Sequence, residues 1–331
     1  MSDSIGIVES AYAKAATEAE WLGRVARSVT ANLPAFAGSM LAYTYRVVDP
    51  GWVDIQAFIE EGPVSFAKSF MAGPFGDDVQ QAAAAKHLQP GLASITLGMR
   101  PHSERGPFRE YLDRLVVSNG FGDLWMVRSV DPTRSGCMVG IGIDAPSEPH
   151  RAVTAHWDKL TGHIAAGLRL HRKLAESEHA PDAVRAMAPV EGMAPEAVLQ
   201  PDGRVAHAVG PATSRSARDR LSTAARAMDR ARGPLRRRDP DEAVDIWRGL
   251  VAGRWSLIDH FDSDGRRYLV AHRNDPTTPD PRALTERERQ VLGYADLGRS
   301  NKMIAYELGL SPSTVAVLLG RARAKLNNVK S

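Results

Sequence analysis

Leu284 to Leu326 reads LTERERQVLGYADLGRSNKMIAYELGLSPSTVAVLLGRARAKL, and three short helices can be drawn on it. Thr285 is an N-cap residue by type. Glu288, three positions on, completes a capping box in which each side chain satisfies a backbone N–H left over at the helix start. Val291, Leu292 and Ala295 then recur at helical spacing. Gly298 tolerates φ > 0 and ends that helix. Asn301 to Leu308 is the second helix, apolar on Ile304, Ala305 and Leu308. Gly309 supplies the turn. Ser311 caps the third helix, and Pro312 takes its first helical position, where a missing N–H costs nothing. A helix, a glycine turn and a second helix form the supersecondary unit that lays its last helix in the major groove of DNA.

These residues resemble the C-terminal DNA-binding domain of LuxR/NarL-type transcription regulators. The matching positions are Leu284-Thr285 with Glu288 and Val291-Leu292, then Gly298, Ser300-Asn301-Lys302 and Ile304-Ala305. Leu308, Ser311-Pro312, Thr314-Val315 and Lys325-Leu326 complete the set. The C-terminal region of extracytoplasmic-function sigma factors is a close rival, since its last helix also tends to end in Arg-Ala-Arg before Lys-Leu, as Arg321 to Leu326 does. The resemblance implies binding to double-stranded DNA. Lys302, Ser311, Ser313 and Thr314 would bond phosphate oxygens, helped by free N–H groups at the helix start. Arg321, Arg323 and Lys325 would add charge further along, and Ala316 and Val317 would face the bases.

Two departures qualify that expectation. Many reading helices of the family carry polar or basic residues after the Thr-Val pair, whereas here the run is Ala316-Val317-Leu318-Leu319-Gly320. Base specificity then rests on Ser313, Ala316, Arg321 and DNA shape. The family also adds a fourth helix that pairs two such domains, and the sequence runs only to Ser331. Pairing into a homodimer is therefore expected from the upstream domains.

The 331 residues suggest two or three domains. Hydrophobic residues make up 43% and charged residues 24%, which argues for a folded chain. No apolar run approaches the ~20 residues of a membrane span, and MSDSIGIVES lacks the pattern of a secretory signal. With one cysteine, Cys137, no internal disulfide framework is available. A soluble, cytoplasmic protein is expected. Charge is uneven. Residues 1–203 hold 18 basic and 24 acidic side chains, residues 204–240 hold 10 and 3, and residues 282–331 hold 9 and 4. The two basic blocks are candidates to face phosphates, and the first block can equally be a solvated helix face.

Upstream, an amphipathic helix is expected over 4–28 and a hairpin over Met40–Val48 and Trp52–Ile59, with Asp49-Pro50-Gly51 as its turn. Helices follow over 65–71, 77–87 and 107–117, with a strand over Gly91–Met99. Gly122–Val130 and Gly136–Ile143 are adjacent strands, and a long helix covers about Pro149–Leu174. This order resembles GAF or PAS sensory domains in pattern. After an Ala/Pro-rich linker at 177–195, a hairpin over 197–207, helices over 216–232 and 240–251, and strands over Trp255–Phe261 and Arg266–Ala271 suggest a smaller PAS-like domain. The stretch NDPTTPDPR at 274–282 is a stiff connector.

Catalytic chemistry has little support in the sequence. His156 and His163 are seven apart on one predicted helix, too far for an i, i+4 metal pair. Gly140-Ile141-Gly142 lacks the third glycine of a dinucleotide fingerprint. Cys137 in an apolar strand reads as a small buried hydrophobe. Tyr43, Tyr45, Trp52 and Trp125 are either pocket lining or core. The expectation is thus an α+β multidomain regulator and not an enzyme, with no metal and no cofactor. It comprises a GAF/PAS-like antiparallel sheet with helices (1–178), a smaller PAS-like α+β domain (190–275) and an all-α helix-turn-helix (282–331). DNA, a second copy and an unknown small-molecule signal are the expected partners, with RNA polymerase a further candidate. The alternative is a protein-interaction or anti-activator module, in which Val317, Leu318 and Leu319 form a partner surface.

Overall fold

The computed structural model describes residues 3–33, 38–48, 52–66, 90–94, 114–117, 119–147, 149–179, 194–247, 254–276 and 284–327. The chain is α+β, with two antiparallel sheets followed by three helices. The whole of the expected helix over 77–87, most of those over 65–71 and 107–117, and the far end of the strand over 91–99 lie outside the described residues.

The N-terminal segment forms two helices where one was expected: α1 (Ser4–Tyr12) and α2 (Glu18–Thr30). Thr17 caps α2 through Glu20 N at 3.1 Å. The Trp21 indole donates to Ala11 O at 2.8 Å and folds α2 back on the end of α1. Ala-rich periodicity runs across the break, but Thr17 and Glu20 are a local start signal that outweighs it.

The first sheet has the order β2-β1-β5-β4-β3, with β1 Met40–Val48, β2 Trp52–Glu61, β3 Gly91–Ser94, β4 Asp123–Val130 and β5 Ser135–Ile143. β1 is buried on both faces, because alternate residues point to opposite sides. Met40 and Ala42 join the core beneath α1, α2 and the long helix α3 (Arg151–His179), while Leu41, Tyr43 and Tyr45 join a second cluster with Phe66 and Leu124. Tyr43, Tyr45 and Trp125 are therefore core residues, and the side chain of Trp52 is outside the described set. Cys137 is likewise buried in β5, and burial pushes its thiol up to about 12.

The second sheet has the order β7-β6-β9-β8, with β6 Ala197–Leu199, β7 Val205–Ala208, β8 Trp255–Phe261 and β9 Arg267–Arg273. Helices α4 (Arg215–Arg230) and α5 (Pro240–Ile246) accompany it. The residues expected to extend α5 to 251 lie outside the described set beyond Trp247. One continuous apolar core runs from Ile5 through both sheet units to Ala271. Their seam is also ionic. Arg232 bonds Glu9 at 2.9 Å and Asp259 at 2.6 Å, and Arg236 pairs with Asp3 and Glu9. Part of the 204–240 basic block is thus taken up inside the molecule, while Arg215, Arg218, Arg226 and Arg237 stay exposed.

The last three helices, α6 (Glu286–Asp296), α7 (Asn301–Leu308) and α8 (Pro312–Asn327), have a core of their own around Val291, Ile304, Val315 and Leu319.

Candidate nucleic-acid interface

Local chemistry sets the three helices. The Thr285–Glu288 capping box is present in both directions. Ser300 caps α7 through Met303 N at 3.3 Å. Gly298 and Gly309 adopt φ 78° and 65°, the left-handed turns a side chain would resist. Ser311 Oγ accepts from Thr314 N at 3.0 Å and lies 2.7 Å from Ser313 Oγ and 2.8 Å from Thr314 Oγ1. These hydroxyls cluster on the solvent side of the α8 N-terminus, where free N–H groups and the positive dipole end favour an anion.

Exposure sorts the expected site residues. Lys302, Ser311, Ser313, Thr314, Ala316, Arg321 and Arg323 are exposed. Val317 is 52% exposed. Ser313, Ala316, Val317, Gly320, Arg321 and Ala324 share the outer face of α8 at three- and four-residue spacing. Lys325 stands apart: its Nζ bonds Glu288 Oε2 at 2.7 Å and so pins the end of α8 to the start of α6. That ammonium, with the capping bonds to Thr285, holds the Glu288 carboxyl down at about 2. Of the three apolar residues, Leu319 is buried at 8% exposure and Leu318 packs on the helical core, so only Val317 offers apolar surface.

The inner side of the three-helix unit is docked. Tyr306 of α7 reaches a junction of three elements. Its hydroxyl donates to Val244 O of α5 at 3.2 Å and lies 3.2 Å from His163 Nε2 of α3. The phenol hydrogen goes to Val244, so His163 must donate through Nε2–H, and Nδ1 is left without a hydrogen-bond partner. Burial lowers that imidazole to about 3 and keeps it neutral. Arg299 and Glu307 pair at 2.9 Å with 3% and 1% exposure, and Arg299 Nη2 donates to Thr161 of α3 at 3.1 Å. Gln290 donates to Pro276 O at 3.2 Å, and Gly293 of α6 lies against Pro132 in the β4–β5 turn. The docked surface is thus on α6 and α7, and the outer face of α8 points away from it.

Sequence reasoning missed Arg299, Tyr306 and Glu307. The one signal available was a carboxylate inside the apolar run Met303 to Leu308, a position that demands a partner when buried. It also missed a line of side chains at the other end of α3. Ser4 Oγ is 2.8 Å from His156 Nε2, and His156 Nδ1 bonds Asp241. That is the hydrogen-bond order of an acyl-transfer triad. Ser4 is fully buried, however, so its oxygen has no approach for a substrate and the line serves as a tie between α1, α3 and α5. His156 and His163 accordingly serve different partners. No cluster of three metal-ligating side chains occurs among the described residues, and no single helix there is long and apolar enough to cross a membrane.

Residues 282–331 match the family model "Bacterial regulatory proteins, luxR family". The C-terminal region is similar to the HTH-type transcriptional regulator MalT of Vibrio campbellii, with 41% identity over 85 residues, 26% of this chain and 9% of that protein. The MalT of Vibrio cholerae is 40% identical over 68 residues, 20% of this chain and 8% of the relative. The chain therefore spans less than a tenth of the length of these curated relatives. Together the matched model, the capped helices and the glycine turn identify residues 282–331 as a helix-turn-helix domain of the luxR family of bacterial regulatory proteins.

Proposed function

We propose that the protein is a transcription regulator that binds double-stranded DNA through α8. Lys302, Ser311, Ser313, Thr314, Arg321 and Arg323 would contact phosphates, with Ala316 and Val317 toward the bases and Lys325 fixing the helix end. The observation that carries this reading is the exposure of the outer face of α8 while the opposite side of the unit is docked. In this reading the chain divides into 1–178, 190–275 and 282–331, and the first two parts, GAF- and PAS-like in pattern, sense a signal and pair two copies. Their shared core makes them one carrier for the DNA-binding part. The outer face of the second sheet, a groove of about 620 Å³ with Val198, Ile258, Tyr268 and Val270, supports pairing there. RNA polymerase would be a further partner at the promoter, and the protein would act in the cytoplasm.

Fluorescence anisotropy with a mixed-sequence duplex across a salt series tests the DNA interaction. Arg321→Ala/Arg323→Ala should flatten the slope of log K against log salt by ~2, one unit for each arginine–phosphate pair removed. No binding at low salt, or an unchanged slope in the double variant, would overturn the reading. A second reading, a protein-interaction or anti-activator module, draws on the exposure of Val317. It is weakened because Leu318 and Leu319 pack inward. Val317→Asp separates the two readings: turned toward the bases, the new carboxylate should weaken duplex binding, whereas in the second reading it should leave duplex binding unchanged and abolish capture of a partner protein.

A further inference from the structure

A cleft of about 820 Å³ opens where the second sheet unit meets the three-helix unit. That volume falls within the ~300–1,000 Å³ of small-molecule sites. Its floor is apolar, with Leu221 of α4, Ile246 of α5 and Leu257 of β8, and its far wall is Leu308 of α7 with Gly309 of the turn. Arg220 and Arg287, both exposed, stand on the rim, one from each unit. The other rim charges are accounted for in turn. Arg254 is taken by Glu196 at 2.7 Å, and Asp245 by Lys159 at 2.6 Å. Among the described residues Arg220, Arg287 and Asp219 have no ion pair, a net of one positive charge, and Arg287 gives one N–H, at Nη1, to Gln290 Oε1 at 2.9 Å, which leaves its other N–H groups for a ligand.

We propose that this cleft binds a small molecule with an apolar body and an anionic head. The floor takes the body, since covering apolar surface is favourable. The two guanidiniums, planar five-donor groups, take a carboxylate, sulfonate or phosphate head. The site joins two units, so a ligand filling it touches the turn that leads to Ser311, the cap of α8. A ligand with different contacts in the docked and undocked arrangements would bias how α8 is presented. This deepens the sensory half of the reading above and rests on it.

The test uses the full chain without DNA, so its failure is distinct from a failure of DNA binding. The probe is 8-anilinonaphthalene-1-sulfonate, an aryl body with a sulfonate head, read by its own emission and by the part of the tryptophan energy transfer that a Trp255→Phe variant removes, since Trp255 lines the cleft. Saturable binding is expected. Ala227→Trp, which fills the cleft, should remove it. Arg220→Ala/Arg287→Ala, a surface change outside any core, should weaken it by about tenfold, the effect of a missing charge-assisted bond. Dodecanoate should compete with the probe and dodecanol should compete less well. The proposal is overturned by an absence of saturable binding in the wild-type chain. It is equally overturned if the arginine double variant binds as tightly as wild type, or if Ala227→Trp folds normally by circular dichroism and binds unchanged.

Discussion

Gly320 and Gly293 both lie inside helices of the same three-helix unit, yet a methyl group would meet different things at each. At Gly320 it would meet nothing within 4 Å. Gly320→Ala should therefore raise thermal stability by roughly 1 kcal/mol, the helix-propensity gain alone. A melt that shows no rise would mean that α8 is not helical there. At Gly293 the methyl would lie 2.9 Å from Pro132 Cβ, closer than real side chains come. Gly293→Ala gains the same propensity within α6 but clashes at the docked surface. It should speed amide exchange at the docked residues Arg299 and Tyr306 while the three-helix unit keeps its helical signal. Unchanged exchange would show that packing against Pro132 carries no docking energy.

Among the elements, α7 is the one that ties the helix-turn-helix to both α3 and α5. Its buried Arg299–Glu307 pair faces Gly162 and Thr161 of α3. Burial pushes the Glu307 carboxyl up and Arg299 draws it down. Removing one member strands a buried charge, so Glu307→Leu alone should cost about 3 kcal/mol or more. Arg299→Met/Glu307→Leu together should cost much less. Urea midpoints for the four members of this double-mutant cycle decide the matter, and simple additivity would rule out coupling. The elements also show what the sequence made legible. Thr285, Gly309 and Ser311 act within a few residues of themselves, so their cap and turn chemistry could be read directly. The β-rich run of β1 and the turn residues that set off β4 and β5 made the strands legible in the same way. Thr17 was hidden by alanines that keep a helical period across the break. The docking of Tyr306 on His163 and Val244 joins residues 143 and 62 apart, a pairing no local pattern encodes. The cleft is likewise made only by the meeting of two units.

At the scale of the whole molecule, acid should loosen the assembly through His163. Its value falls from 6.5 to about 3 on burial, so the docked form favours the neutral ring. Facing it are Tyr12 of α1 and Tyr306 of α7, with ring centroids 6.2 Å away, and no carboxylate bonds to it among the described residues. An opened form takes up a proton that the docked form refuses. The stabilisation is complete above about 6.5 and is lost as pH falls toward 3, reaching a loss of about 2 kcal/mol near pH 5. His163→Gln should flatten the stability profile between these limits, and an unchanged slope would place the acid sensitivity elsewhere. His272, lowered to about 4 by burial, contributes in the same direction and is untouched by that variant.

Pro276, whose carbonyl accepts from Gln290, and the buried Leu284 are separated by residues 277–283. Fully extended, such a tether reaches only ~25 Å. A released three-helix unit would therefore stay at an effective concentration of order mM around its own seat. A seat with an intrinsic dissociation constant of ~0.1 mM would already keep the unit docked about ten to one. Reversing that ratio takes only ~2.7 kcal/mol, about what one or two charged hydrogen bonds supply. In the regulator proposed above, a connection this short would let a modest, partly polar seat serve as a two-position element that a small signal could tip.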